Sequence, residues 1–118
     1  MSYELVFYET RSGHVPALEF LRGQPKPVRA EGGWLLEQLQ KYGNSLGRPV
    51  MAYLEDGIHE LRWQVERNEY RLLFFFSGRR IVVVTHGFSK KTKRVPKAEI
   101  ERARGWRADW LARNRGTT

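Results

Sequence analysis

A chain of 118 residues without a single cysteine is about one domain in size, and it cannot draw on disulfides or thiolate metal sites for stability. No apolar run approaches the ~18 residues of a membrane span, and MSYELVFYET lacks the basic start and small-residue cleavage pattern of a secretory leader; the expectation is a soluble, cytoplasmic, single-domain protein over residues 1–118, frayed from about 114 onward. The net charge of +8 is unevenly placed, with ten Lys or Arg against three acids in residues 89–118 and eleven against ten before them.

Such one-ended basicity is an electrostatic footprint for a polyanion, nucleic acid first and an acidic protein second, with a merely solvated basic tail as the plain alternative.

In chain order, SYELVFYE alternates with Tyr3, Leu5 and Phe7 on one side and predicts a strand. HVPALEFLRG predicts a short helix that Pro16 opens. Between about Lys26 and Tyr42, the residues Val28, Leu35, Leu39 and Tyr42 recur on one helical face, which Gly43 is placed to end. Gly32 and Gly33 cost roughly 1 kcal/mol each relative to alanine, so a kink or late start is expected there. MAYL is a candidate short strand. IHELRWQV, EYRLLFFF and RIVVVTHGF then predict an antiparallel meander with turns around Arg67-Asn68 and Ser77-Gly78. The last two of these runs are apolar on both faces, which places them centrally with cover on each side. Pro96 opens a final helix whose Ile100, Ala103, Trp106 and Trp110 share a face, a pattern that reads as core packing more readily than as base stacking. The sum is an α+β fold: a strand and two helices, a β-meander, then a C-terminal helix, with the N-terminal helices on one sheet face and the other partly open.

The ordered set GHVPALEFLRG, KYGNSLGRPV, HELRW, EYRLLFFF and HGFSKKTKRVPKAEIERA resembles the phage-related, HigB-like branch of the RelE/ParE toxin superfamily, over about residues 4 to 110. The resemblance implies the toxin of a type II toxin-antitoxin pair, with no cofactor or metal. It implies cleavage of messenger RNA on the ribosome and a small helix-turn-helix antitoxin as partner. A non-enzymatic binder on the same fold, such as a gyrase inhibitor or a regulatory module, is the alternative.

Metal-free RNA cleavage uses the adjacent 2′-hydroxyl as nucleophile, and fixed cations on the phosphate are each worth roughly 10²- to 10³-fold in rate. Arg71, inside EYRLLFFF, is the first candidate, because a charge among apolar neighbours is either paired or presented to a cleft. The resemblance matches it to an arginine on the scissile phosphate; an ion pair with Glu60 or Glu69 is the structural alternative. Arg62 projects with Glu60 and Gln64, opposite Leu61 and Trp63, toward the strand of Arg71. Lys90 and Lys91 fall, by resemblance, where the superfamily carries a basic clamp after its last long strand. His86, near the same strand end, is the one side chain there suited to proton exchange near neutral pH, although a lone histidine is more often structural. Lys93, Arg94 and Lys97 are assigned to RNA steering, and Phe88 to stacking on a base. Three scattered histidines form no zinc signature. The chain departs from well-known RelE toxins in carrying Ile58 and Glu60 where those place two lysines, and in lacking a tyrosine after the basic loop, which leaves the general acid and base unassigned.

Overall fold

The computed structural model describes residues 2–90 and 94–115, and for Lys90 the backbone alone. Its architecture is α+β: a mixed five-stranded sheet with helices on both faces. The strands are β1 (Glu4–Phe7), β2 (Met51–Glu55), β3 (Ile58–Val65), β4 (Asn68–Ser77) and β5 (Ile81–Lys90), in the spatial order β1-β5-β4-β3-β2. The helices are α1 (Pro16–Arg22), α2 (Lys26–Tyr42) and α3 (Lys97–Arg113).

Short turns force β2 to β5 into an antiparallel meander. Asp56 and Gly57 join β2 to β3 with φ of 51° and 81°, the left-handed pair that a two-residue hairpin turn requires and that an Asp-Gly sequence tolerates. β1 instead pairs in parallel with β5, from Glu4 opposite Ile81 to Phe7 opposite Val84. That return is possible because α1 and α2 carry the chain back across the sheet before β2 begins.

Central placement explains the apolar character of β4 and β5. Leu72, Phe74, Val82 and Val84 pack with α2 residues Val28, Leu35 and Leu39 on one face, while Leu73, Phe75 and Val83 pack with Ala103 and Trp110 of α3 on the other.

Two details of α2 depart from expectation. The helix runs unbroken through Gly32 and Gly33. Gly32 is a contact point: a Cβ there would lie 2.9 Å from Trp63 Cζ2 and 3.2 Å from Leu21 Cδ2, so its absence lets the helix sit directly on the indole. Tyr42, expected on the buried stripe, is 47% exposed, because the apolar face ends with Leu39.

α3 is anchored at its far end. Asp109 accepts from the Tyr8 hydroxyl at 2.7 Å and from Arg11 Nε at 2.7 Å, and pairs with Arg113 at 2.6 Å. Trp106 stacks on Tyr8 at 5.5 Å, and Trp110 meets Phe75 edge-on at 5.9 Å, as the helical spacing of the two tryptophans predicted. Thus α3 covers the sheet around Ile58, Leu73, Phe75 and Val83. Beyond that cluster, toward residues 62–64 and 69–71, the same face turns polar.

Among the described residues, no helix is long and apolar enough to cross a membrane.

Candidate functional site

Strand alternation and register build the site. Arg62 and Arg71 are directly opposed across the β3–β4 ladder, and Phe88 stands opposite Arg71 on β5. Glu60, Gln64 and Glu69 share their face, because side chains two apart on a strand point the same way. The result is a polar row crossing this face beyond the apolar cluster that α3 covers.

Arg71 is only 1% exposed, and its partners explain how a charge persists there. Nε lies 2.8 Å from Glu60 Oε1, one terminal nitrogen donates to Glu69 Oε1 at 2.7 Å, and the other donates to the Tyr70 carbonyl at 3.2 Å. Arg62 is more open. Its Nε donates to the Pro49 carbonyl at 2.8 Å, and a terminal nitrogen approaches Glu60 Oε2 at 3.8 Å. Glu60 therefore sits between two guanidinium groups, which offsets the cost of burying it at 3% exposure.

The two guanidinium groups and two carboxylates cancel in charge. Arg62, Arg71 and Glu69 border a cleft of about 450 Å³ whose lining also includes Pro49 and Gln64, while Glu60 lies buried behind it. Of the two roles open to Arg71 from sequence, the geometry realises the ion pair, with Glu60 and Glu69 at once. Glu60 alternates with Arg62 on β3 and Glu69 with Arg71 on β4, and the β3–β4 register puts all four on one face.

His86 lies on the same face, two pairs along from Phe88, opposite Leu73. A bulge at this point, where the register shifts between Leu73 and Phe74, places Thr85 beside it. His86 Nε2 is 3.1 Å from Glu99 Oε1, and Nδ1 is 3.1 Å from the Thr85 hydroxyl, which is also 3.2 Å from the Leu73 carbonyl. Burial holds the imidazole pKa below its ordinary value, against the opposing pull of Glu99. The Thr85 hydroxyl has one proton to share between Nδ1 and the Leu73 carbonyl, and Nε2 is the ring nitrogen placed to donate to the Glu99 carboxylate. In this arrangement His86 ties β5 to the first turn of α3, with its ring 5.2 Å from that of Trp106 and 5.8 Å from that of Phe88. Phe88 is itself half-buried against the α3-side cluster.

Of the basic stretch, Lys90 stands opposite Glu69 in the β4–β5 register, and Arg94 and Lys97 are exposed. Lys91 and Lys93 lie outside the described residues. No group of three or more His, Cys, Asp or Glu among the described residues is arranged to hold a metal ion.

Fold and site together define a small α+β protein with a buried, charge-balanced arginine network at one end of its sheet. Residues 19–106 match the family described as Phage derived protein Gp49-like (DUF891), and the chain belongs to that family. No curated protein matches it.

Proposed function

We propose that this Gp49-like protein is the toxin of a type II toxin-antitoxin pair, of the HigB-like kind, and inhibits translation by cutting messenger RNA on the ribosome. The family's relation to RelE/ParE-type toxins supports the toxin reading. The observation that carries the enzymatic part is the direct opposition of Arg62 and Arg71 beside a cleft that both line, near the strand end from which the lysine-rich stretch departs.

In this reading the RNA 2′-oxygen attacks the adjacent phosphorus as its proton leaves, and the 5′-oxygen departs and takes up a proton, giving a 2′,3′-cyclic phosphate and a 5′-hydroxyl. Arg62 and Arg71 stabilise the charge that grows on the phosphoryl oxygens. Lys90, Lys91 and Lys93 add cationic charge from the β5 end and the stretch that follows, while Arg94 and Lys97 steer the polyanion. His86 acts by holding β5 and α3 in register; its buried contacts with Glu99 and Thr85 support a positioning role over proton transfer. The partners are a small helix-turn-helix antitoxin, the ribosome and messenger RNA, all in the cytoplasm.

A second reading has its own support. Arg71 is enclosed by two carboxylates, which suits a non-enzymatic binder that uses the fold as a scaffold. Brief induction in cells followed by mapping of transcript 5′ ends separates the two. New ends clustered within translated codons support the ribonuclease; growth arrest without such ends supports the binder.

A further inference from the structure

We infer that Glu69 is a resident counter-ion occupying the place of an RNA phosphate at Arg71, and that a phosphodiester enters the cleft by displacing it. The ligand's identity rests on the ribonuclease reading above; the displacement rests on the geometry. A carboxylate oxygen 2.7 Å from a guanidinium nitrogen makes the same charge-assisted contact that a phosphate oxygen would make. The two carboxylates on Arg71 are not equivalent. Glu60 is sealed in, with its side chain 4% exposed, and is shared with Arg62 at 3.8 Å. Glu69 lines the cleft with its side chain 19% exposed, and stands one residue from the end of the β3–β4 hairpin, where water is close at hand. Glu69 can therefore leave Arg71 at lower cost than Glu60, whose departure would strand a buried carboxylate.

Charge balance points the same way. With Glu69 in place, Arg62 and Arg71 are matched by two carboxylates and the described network presents no net attraction to an anion. Once Glu69 swings out, Arg62 and Arg71 are matched by Glu60 alone and the cleft is left cationic. An isolated phosphate cannot displace Glu69 readily. A strand held by additional contacts can, so the counter-ion selects for a ligand already engaged elsewhere on the protein.

The variant E69Q keeps the side chain's size and an acceptor oxygen for Arg71 while removing the charge. Inorganic phosphate and a 2′-O-methylated RNA trinucleotide, which cannot be cut, are each titrated into wild type and E69Q at fixed salt, following the Arg62 and Arg71 Nε–H signals by NMR. Binding of both probes is expected to tighten on the order of ten-fold in E69Q. Unchanged or weaker binding by a variant of preserved melting temperature overturns the inference. Should E69Q melt early, the wild-type protein carries the test. Saturation with the trinucleotide is expected to shift the Glu69 carboxyl carbon and leave that of Glu60 in place, and a stationary Glu69 signal is the contrary result. Tighter binding by E69Q from a protein that cuts no RNA would remove the ribonuclease reading alone. Active cleavage with unchanged binding would remove the counter-ion alone.

Discussion

Arg71 Nε lies 2.8 Å from Glu60 Oε1, both side chains almost wholly buried, on the sheet face whose neighbouring stretch packs apolar residues against α3. Each charge has the other as a close counter-charge, with Glu69 and Arg62 as second partners, and this dependence governs how the site responds to mutation.

Arg71→Ala should therefore weaken folding by about 3–5 kcal/mol, because Glu60 loses its main counter-charge inside the protein. Adding Glu60→Gln should restore a substantial part of that loss, since a neutral amide is far cheaper to bury. Denaturant unfolding of the single and double variants measures the difference. Equal stability of the two would show that Glu60 does not depend on Arg71.

The neighbouring glycines of α2 should respond with opposite sign. Gly33→Ala meets nothing within 4 Å and should stabilise by up to ~1 kcal/mol through helix propensity. Gly32→Ala places its Cβ 2.9 Å from the buried Trp63 ring, and overpacking of about 1–3 kcal/mol should outweigh the same propensity gain. Thermal melts of the two proteins decide it; stabilisation by both would mean that the α2–Trp63 contact is loose.

Acid should destabilise the protein in two stages. Burial lowers the pKa of His59 and of His86, so the unfolded chain takes up these protons first. Their contribution is complete above the ordinary histidine pKa of about 6.5 and declines as pH falls below it. Asp109, held at about 2 by the Tyr8 hydroxyl and by Arg11 and Arg113, favours folding above the ordinary carboxylate range, an effect lost as pH falls through about 2. Melting temperatures between pH 8 and pH 3 should fall from about 6.5 downward, and His86→Gln should flatten the upper part of that slope. A melting temperature constant from pH 8 to pH 5 would contradict the assignment.

The sheet was legible where local pattern and tertiary role coincide. EYRLLFFF and RIVVVT are apolar at consecutive positions, which only a strand covered on both faces can use, and they became the central strands. The parallel pairing of β1 with β5 was not legible, because alternation in SYELVFYE specifies a strand and says nothing of its neighbour. The Asp109 hub was equally hidden, since it joins the start of the chain to its end through Tyr8 and Arg11. At the site, placing Arg62 with Glu60 and Gln64 followed from a period of two. What periodicity could not weigh was whether Arg71 would stand open to a ligand or be enclosed by its own glutamates, which depends on the cross-strand register that sets Arg71 opposite Arg62 and beside Glu60 and Glu69.

The most direct test of the ribonuclease account uses Arg62→Gln and not Arg71→Ala. Arg62 is partly exposed, and its loss leaves Glu60 paired with Arg71, so folding is preserved and any effect reports on chemistry. Transcript 5′ ends mapped after induction, at matched protein level and melting temperature, should show cleavage reduced roughly 10²- to 10³-fold. Undiminished cleavage by the folded Arg62→Gln protein would contradict a phosphate seated between Arg62 and Arg71.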